Sequence, residues 1–291
     1  MSLLNDALNQ LGKRLAGALN DVSVDGLFLP APVADETFRD EFGFVFLDDG
    51  SVGPFYVSMG GILEALWRRY PEPAACRDGV RQLLLGFERS DLADRALALG
   101  VYNALSASVF RRAGFVPAAR AAVSGLDGLE AGTTVGMVGY FGPLVERLLV
   151  RGCNVLVLEL APERVSRQSG LASTGNPNDL CDCSHVLCTS ATLVNDTLDD
   201  LLTVLSGRVT LELVGPSGSG LPDPLFERGV VSVGGIGFAD RAVLVASLQR
   251  GEPWGMTGRK YQLTPEGYPG IDALFNLIDR SPDAGKSQRD Q

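Results

Sequence analysis

Apolar residues in the first part of the chain recur at two spacings, one typical of helices and one of strands. Leucines repeat every three or four residues from Leu4 to Leu19, which predicts an amphipathic helix over residues 3–19. Short apolar runs predict strands over residues 22–29, 42–47 and 53–57. The sequence DDGS between the last two runs is a strong hairpin signal. Further helices are predicted over residues 61–69, 77–88 and 91–112, and the last is apolar nearly all round, which predicts burial.

The second part of the chain alternates predicted strands with predicted helices. Residues 133–160, TTVGMVGYFGPLVERLLVRGCNVLVLEL, form a strand, a glycine turn, a helix and a second strand. Pro143 and Gly152 bracket the helix, because proline suits the first helical position and glycine the position after the last. The second strand is a continuous apolar run, as expected of a parallel sheet buried on both faces. This βαβ unit predicts an α/β fold.

Later segments extend the same alternation. Strands are predicted over residues 185–189, 209–214 and 230–233. A helix over residues 198–205 is expected to be capped by Thr197 and Asp200, and Asp240 is expected to cap a helix that ends at Gln249. The polar stretch 166–182 is predicted to be a loop. A change to alanine- and glycine-rich sequence over residues 117–132 predicts a boundary, which gives domains 1–120 and 121–280 and a flexible tail 281–291.

Composition limits the possible partners. The chain of 291 residues has a formal net charge of -10, which argues against nucleic acid and anionic membranes as partners. No apolar stretch reaches the roughly 18 residues of a membrane span. Five cysteines, an odd number, indicate reduced thiols and a cytoplasmic protein. The expected partner is a small-molecule or metal ligand, and assembly into a homo-oligomer stays open.

The turns that follow the predicted strands form the candidate site, because ligands of parallel sheets bind beyond the carboxyl ends of the strands. Gly139, Tyr140 and Phe141 would form one wall of a pocket. Thr192, Asn195 and Thr197 would donate side-chain hydrogen bonds. The turn Gly215, Pro216 and Ser217 would bind through backbone N–H groups. The glycines of residues 234–237 would form a fourth turn on the same edge.

Two further residues complete the candidate site. Glu159 follows the second strand of the βαβ unit and would accept a hydrogen bond, or act as a catalytic general base if burial raises its pKa. Asn103 would come from the buried helix 91–112, although a buried amide also suits a structural clamp. For each polar residue, helix capping or another structural role is the alternative to ligand binding.

Two other chemistries have partial support in the sequence. A dinucleotide turn has the spacing GxGxxG, whereas this turn has GxxGxxG with Tyr140 and Phe141 at its tip, which would obstruct a pyrophosphate. A cluster of soft-metal ligands lies near His185, the only histidine, but its spacing is not a zinc signature. The cluster consists of Cys181, Cys183, His185 and Cys188.

Three blocks of this sequence resemble the "putative heavy-metal chelation" domain family of unknown function. They are VGMVGYFGPLVERL with VLVLEL, then TSATLVNDTLDDLL, then LVGPSGSGLPDPLFERGVVSVGG. The resemblance implies a smaller α+β, enolase N-terminal-like first domain and a Rossmann-like parallel-sheet second domain. It also implies a site in the cleft between them that binds a metal or a metal-chelating molecule.

The leading hypothesis is therefore a cytoplasmic protein that binds a small anionic or metal-chelating ligand in this cleft, with a transition metal or its chelate as the possible cofactor. The first alternative is an enzyme that uses NAD(P) or S-adenosylmethionine. The second is a non-catalytic metal carrier that uses Cys181, Cys183 and His185. The sequence does not separate an enzyme from a binding protein.

Overall fold

The first part of the chain builds a small antiparallel sheet and four helices. The computed structural model describes residues 2–32, 41–119, 128–159, 161, 163 and 165–280. The elements up to residue 112 are α1 (Leu3–Ala18), β1 (Val24–Phe28), β2 (Phe42–Leu47), β3 (Val52–Tyr56), α2 (Ile62–Arg69), α3 (Val80–Leu84) and α4 (Leu92–Arg112). The sheet has the order β1-β2-β3, and β2 and β3 form the predicted hairpin.

The second part builds an eight-stranded sheet with the order β4-β11-β10-β9-β8-β5-β6-β7. Its elements are β4 (Ala118–Ala119), β5 (Thr134–Val138), α5 (Gly142–Val150), β6 (Asn154–Leu158), β7 (Leu171–Thr174), β8 (His185–Thr189), α6 (Leu198–Leu205), β9 (Thr210–Val214), α7 (Asp223–Phe226), β10 (Ser232–Gly237), α8 (Arg241–Gln249), β11 (Arg259–Leu263) and α9 (Ile271–Arg280). Strands β5 to β10 are parallel, β11 pairs antiparallel with β10, and β4 pairs antiparallel with β11. The predicted α/β fold is confirmed.

The strand order reverses at the centre of the large sheet. From β5 the chain moves outward through β6 and β7, then crosses back to β8 on the other side of β5 and continues through β9 to β10. The crevice between the ends of β5 and β8 is therefore the topological switch point, where open α/β sheets bind ligands. Side chains of β8 alternate between the two faces, with Leu187 in the cluster that packs on α5 and Val186 and Cys188 in the larger core cluster.

Helix α4 lies at the centre of the molecule, and this position explains why its sequence is apolar on all sides. Asp91 caps it by accepting a hydrogen bond from the N–H of Asp94 at 2.9 Å. The core cluster that contains α4 also contains residues of both sheets, so one hydrophobic core runs through both parts of the chain. The opposite face of the small sheet, which includes Phe44, packs against Leu244 of α8 and against Trp254.

Several predicted elements differ from the structure. The predicted loop 166–182 contains the edge strand β7, which pairs with β6 on one side only and therefore needs no apolar run. The glycines of residues 234–237 do not form a turn, because β10 runs through them and pairs with β11. Gly235 has no side chain because a Cβ atom would lie 2.7 Å from the ring of Tyr261. Strand β11 and helix α9 were not predicted.

Other predictions need smaller changes. The helix predicted over residues 77–88 is the short α3 followed by a 3-10 turn. Thr197 precedes α6 but its side chain makes no capping hydrogen bond, so the predicted capping pair is wrong. Asp240 caps α8 as predicted. The predicted boundary around residues 120–127 and the tail 281–291 lie outside the described residues. Among the described helices, none has the length and apolar content needed to cross a membrane.

Candidate functional site

One cavity of about 410 Å³ lies at the carboxyl edge of the parallel sheet. It is reached by the turns that follow β5, β6, β7, β8 and β9, so it spans the topological switch point. The hairpin β2–β3 and the residues just after it contribute a further wall from the first part of the chain. Ten of the eleven predicted site residues line this cavity: Gly139, Tyr140, Phe141, Glu159, Thr192, Asn195, Thr197, Gly215, Pro216 and Ser217.

The glycine turn after β5 provides an aromatic wall. Gly139 has φ +78°, a left-handed conformation that glycine adopts without strain, and its N–H donates to the carbonyl of Leu158 at 3.0 Å. Tyr140 and Phe141 follow and are both half-buried. The Tyr140 hydroxyl forms a hydrogen bond with Ser166 Oγ at 2.9 Å. The turn thus presents two aromatic rings to the cavity and leads directly into α5.

The turn after β8 provides hydroxyl and amide groups. Thr192 is buried, and its Oγ1 donates to the carbonyl of Thr189 at 2.6 Å. Thr197 Oγ1 donates to Asn195 Oδ1 at 2.7 Å, which leaves the amide N–H groups of Asn195 for another partner. Thr192 therefore has a structural role, the alternative to ligand binding, because its hydroxyl donates its proton to a carbonyl within the turn.

The turn after β9 joins the two sheets. Gly215 begins it with φ +124°, which only glycine tolerates readily. Ser217 is 1% exposed, and its Oγ accepts a hydrogen bond from the backbone N–H of Tyr56 at 3.0 Å. This bond fastens the end of β3 to the second sheet and brings Tyr56 to the cavity. Ser217 is therefore a structural link as well as a lining residue.

Asn103 is the predicted site residue that does not line the cavity. It is 1% exposed, and its Nδ2 donates to the carbonyls of Pro54 at 2.8 Å and of Ser217 at 3.0 Å. These bonds tie α4 to β3 and to the turn after β9. The placement agrees with the structural clamp considered from the sequence and differs from the ligand-binding role.

The charge of the cavity comes from two carboxylates. Glu159 follows β6, is half-buried, and accepts a hydrogen bond from the backbone N–H of Ala161 at 3.2 Å. Asp200, in the first turn of α6, is exposed at the rim. None of the described lining residues is a lysine or an arginine. The described lining therefore has negative charge only.

The predicted soft-metal cluster is not formed in the described part of the chain, where no three metal-ligating side chains come together. His185 begins β8, so it lies about 13 Å along the strand from the cavity edge. Cys188 is fully buried, and burial raises the pKa of its thiol to about 12, although the hydrogen bond with Thr192 lowers it in part. Burial also raises the pKa of Cys183. A raised pKa makes both cysteines harder to deprotonate to the thiolate, the form that metals bind.

Some lining residues were missed from the sequence. Phe42, Tyr56 and Met59 reach the cavity only because the hairpin packs against the turn after β9, a tertiary contact that no local pattern encodes. Ser190 and Asp200 could have been found, because both lie in the segment 190–200 that holds the predicted residues Thr192, Asn195 and Thr197.

The fold and the cavity define a class of protein, namely an α/β protein that has a cavity of small-molecule size at the switch point of a mostly parallel sheet. Residues 122–265 match the sequence model of the family DUF364, which is described as "putative heavy-metal chelation". The predicted resemblance to this family is therefore confirmed over this segment of the chain.

Two solved structures of proteins of unknown function from this family are similar to the chain. The protein from Pyrococcus horikoshii has 17% sequence identity and a TM-score of 0.65, and the match covers 90% of this chain and 100% of that one. The protein from Desulfitobacterium hafniense has 19% identity and a TM-score of 0.58, with 87% and 97% covered. At these identities the likeness shows a shared fold. Among proteins with curated functions, none matches the chain.

Proposed function

We propose that the protein binds a small metal chelate, an organic molecule that carries a transition-metal ion, in the cavity at the carboxyl edge of the parallel sheet. The observation that carries the proposal is the composition of the cavity lining. The lining combines aromatic walls with two carboxylates, and none of its described residues has a cationic side chain. The description of the family as heavy-metal chelation supports the same chemistry.

The size and walls of the cavity suit a compact organic ligand. Its volume of about 410 Å³ falls within the range of roughly 300–1,000 Å³ that is usual for small-molecule sites. Phe42 and Tyr56 approach from the hairpin, and Tyr140 and Phe141 approach from the turn after β5. Four aromatic rings offer faces against which a planar or heterocyclic group can stack. The amide of Asn195 supplies hydrogen-bond donors beside them.

The charge of the lining supports a neutral or cationic ligand. Glu159 and Asp200 would repel a strongly anionic free chelator, would not repel the same chelator once a metal cation had neutralised it, and would attract a complex with a net positive charge. The amino end of α5 opposes this preference, because helix amino termini favour negative charge. An uncomplexed anionic ligand therefore has weaker support than a metal complex.

The metal would arrive with most of its ligands already in place. No three metal-ligating side chains converge in the described residues, so a bare ion would find too few protein ligands there. An organic chelator supplies those ligands itself, and Glu159 could add one carboxylate oxygen. We expect Glu159 to be the side chain whose charge contributes most to affinity.

We also propose that the chain consists of an enolase N-terminal-like first domain and a Rossmann-like second domain. The parallel strands taken from β7 to β10 follow the order 3-2-1-4-5-6, which supports a Rossmann-like second domain. A three-stranded antiparallel sheet followed by helices supports an enolase N-terminal-like first domain. The ligand would then lie between the two domains. Five free cysteines support a reducing, cytoplasmic location.

The experiment is isothermal titration of the full chain with the nickel–histidine complex, with Ni²⁺ alone and with histidine alone. We expect the complex to bind more tightly than either component. Glu159→Gln should weaken binding about tenfold or more, because it removes a charged partner. Asn195→Ala should also weaken it, and neither change should alter Tm appreciably.

The matched control is Glu146→Gln, since Glu146 is an exposed carboxylate on α5 outside the cavity. It should bind the complex as the wild type does. The proposal is wrong if the complex does not bind, or if it binds wild type and Glu159→Gln with equal affinity.

A second candidate is a nucleoside cofactor, supported by the position of Glu159. In dinucleotide-binding folds an acidic residue after the second parallel strand binds the ribose hydroxyls, and Glu159 follows that strand here. Tyr140 and Phe141 oppose this function because they occupy the turn that would hold a pyrophosphate. A rise in Tm with NAD(P) or S-adenosylmethionine, absent in Glu159→Gln, would favour it over the chelate.

A further inference from the structure

Ser190 occupies a central position in the cavity wall. It is the first residue after β8, the strand that lies between β5 and β9 at the switch point. The residue is only 2% exposed, yet it lines the cavity. Ser190 can therefore be reached by a molecule inside the cavity and by very little else.

The hydroxyl of Ser190 makes no hydrogen bond in the described part of the chain, whereas nearby hydroxyls are engaged. Thr192 Oγ1 donates to a carbonyl of its own turn, and Ser217 Oγ accepts from the N–H of Tyr56. Ser219 Oγ donates to the carbonyl of Pro216 at 2.6 Å and accepts from the N–H of Ile236 at 3.0 Å. Polar groups of buried residues are nearly always paired, so a partner for the Ser190 hydroxyl is expected from the cavity side.

The hydroxyl is also open to the cavity. The fully enclosed side-chain atoms that lack a partner in the described chain belong to Asn5, Asn9, Ser51, Arg95 and Asn103, and Ser190 Oγ is not among them. A group inside the cavity can therefore contact this oxygen.

Gly215, and not Gly218, keeps the space beside the Ser190 hydroxyl clear. At Gly215, which has φ +124°, a Cβ atom would lie 2.6 Å from Ser190 Oγ. At Gly218 a Cβ atom would lie 3.5 Å from Ser190 Cβ, an ordinary contact. Any residue other than glycine at position 215 would therefore place its Cβ atom against the hydroxyl of Ser190.

We propose that Ser190 is a ligand-binding residue whose hydroxyl forms a hydrogen bond with the molecule held in the cavity. This inference rests on the proposed function, because it assumes that a small molecule binds there. A serine hydroxyl both donates and accepts, so the ligand must present a polar atom at this wall. Ser190 thus selects against ligands that are apolar at this point, for which the hydroxyl would stay unpaired.

The test compares Ser190→Ala with Ser219→Ala, a serine of similar burial whose hydroxyl is fully engaged. Each full-length variant is unfolded thermally without ligand and then titrated with the nickel–histidine complex. Ser190→Ala should leave Tm unchanged or slightly raised and weaken binding about three- to tenfold, the loss expected for one hydrogen bond. Ser219→Ala should lower Tm, because it leaves the backbone N–H of Ile236 without its partner and removes one of the two donors to the carbonyl of Pro216.

The outcomes separate the inference from the proposed function. If Ser190→Ala binds the complex as tightly as wild type does, Ser190 is not a ligand-binding residue, while the chelate proposal stands. If Ser190→Ala lowers Tm as much as Ser219→Ala does, its hydroxyl has a structural partner and the inference is wrong. If the complex fails to bind even the wild type, the proposed function fails, and the inference fails with it.

Discussion

Replacing Asn103 by alanine should destabilise the protein strongly without changing the lining of the cavity. The substitution removes the amide that donates to the carbonyls of Pro54 and Ser217, and both acceptors lie where α4 meets the two sheets. A buried acceptor that loses its partner costs about 1–3 kcal/mol. Because two acceptors are affected and some relaxation is expected, we estimate a loss of about 3 kcal/mol in the free energy of unfolding.

The measurement is differential scanning calorimetry supported by urea unfolding. A loss of about 3 kcal/mol corresponds to a fall of about 5 °C in Tm, because a chain of 291 residues has an unfolding entropy of about 0.6 kcal/mol/K. Asn154→Ala is the control, since Asn154 is exposed and donates one long hydrogen bond, to Gly132 at 3.3 Å. That variant should change the unfolding free energy by less than about 0.5 kcal/mol. A loss below about 1 kcal/mol for Asn103→Ala would refute the clamp, and a loss of ligand affinity at unchanged stability would restore Asn103 as a binding residue.

Further substitutions test other parts of the fold. Burial alone would raise the pKa of Asp49, but the hydrogen bonds from Ser108 and Ser51 and the charge of Arg111 together outweigh it and hold the pKa below the ordinary 3.8. Asp49→Asn should therefore be less stable than wild type at neutral pH, and urea unfolding should show this deficit vanish as the pH falls through the lowered pKa. The thiol of Cys188, with its pKa raised to about 12, should resist iodoacetamide in the folded protein, as peptide mass mapping would show. Gly235→Ala should cost about 1–3 kcal/mol in denaturant unfolding, because the new methyl group would collide with Tyr261.

Local sequence patterns were sufficient to predict elements whose structure depends mainly on residues of the same segment. Pro143 and Gly152 bracket α5 within two residues of its ends, and the leucine repeat gives α1 almost completely. The parallel strands β5, β6 and β8 are continuous apolar runs because both of their faces are buried. The candidate site followed from the same signals, since it required only the turns that begin where predicted strands end.

Patterns failed where a distant residue decides the structure. Gly235 resembles a turn residue, yet it lies in a strand because Tyr261 crosses over it to donate to the carbonyl of Ser219 at 2.7 Å. Strand β7 is half exposed at the sheet edge, so its polar residues conceal it. Tyr56 reaches the cavity through a backbone hydrogen bond to Ser217, 161 positions later. None of these structural features can be predicted from the sequence of the neighbouring residues.

The packing of helix α4 limits the ways in which the proposed ligand could enter the cavity. Two-domain proteins that close over their ligands pivot about a flexible joint, which requires an interface that can part. Here the interface is filled by a fully buried helix whose Tyr102 donates to the carbonyl of Leu221 at 2.7 Å and whose Ser106 accepts from the same residue's N–H at 3.0 Å. A rotation of one half against the other would break this packing. Entry of the proposed ligand would therefore depend on small movements of side chains at the cavity mouth, such as Tyr140, and the cavity would keep its present shape when the ligand binds.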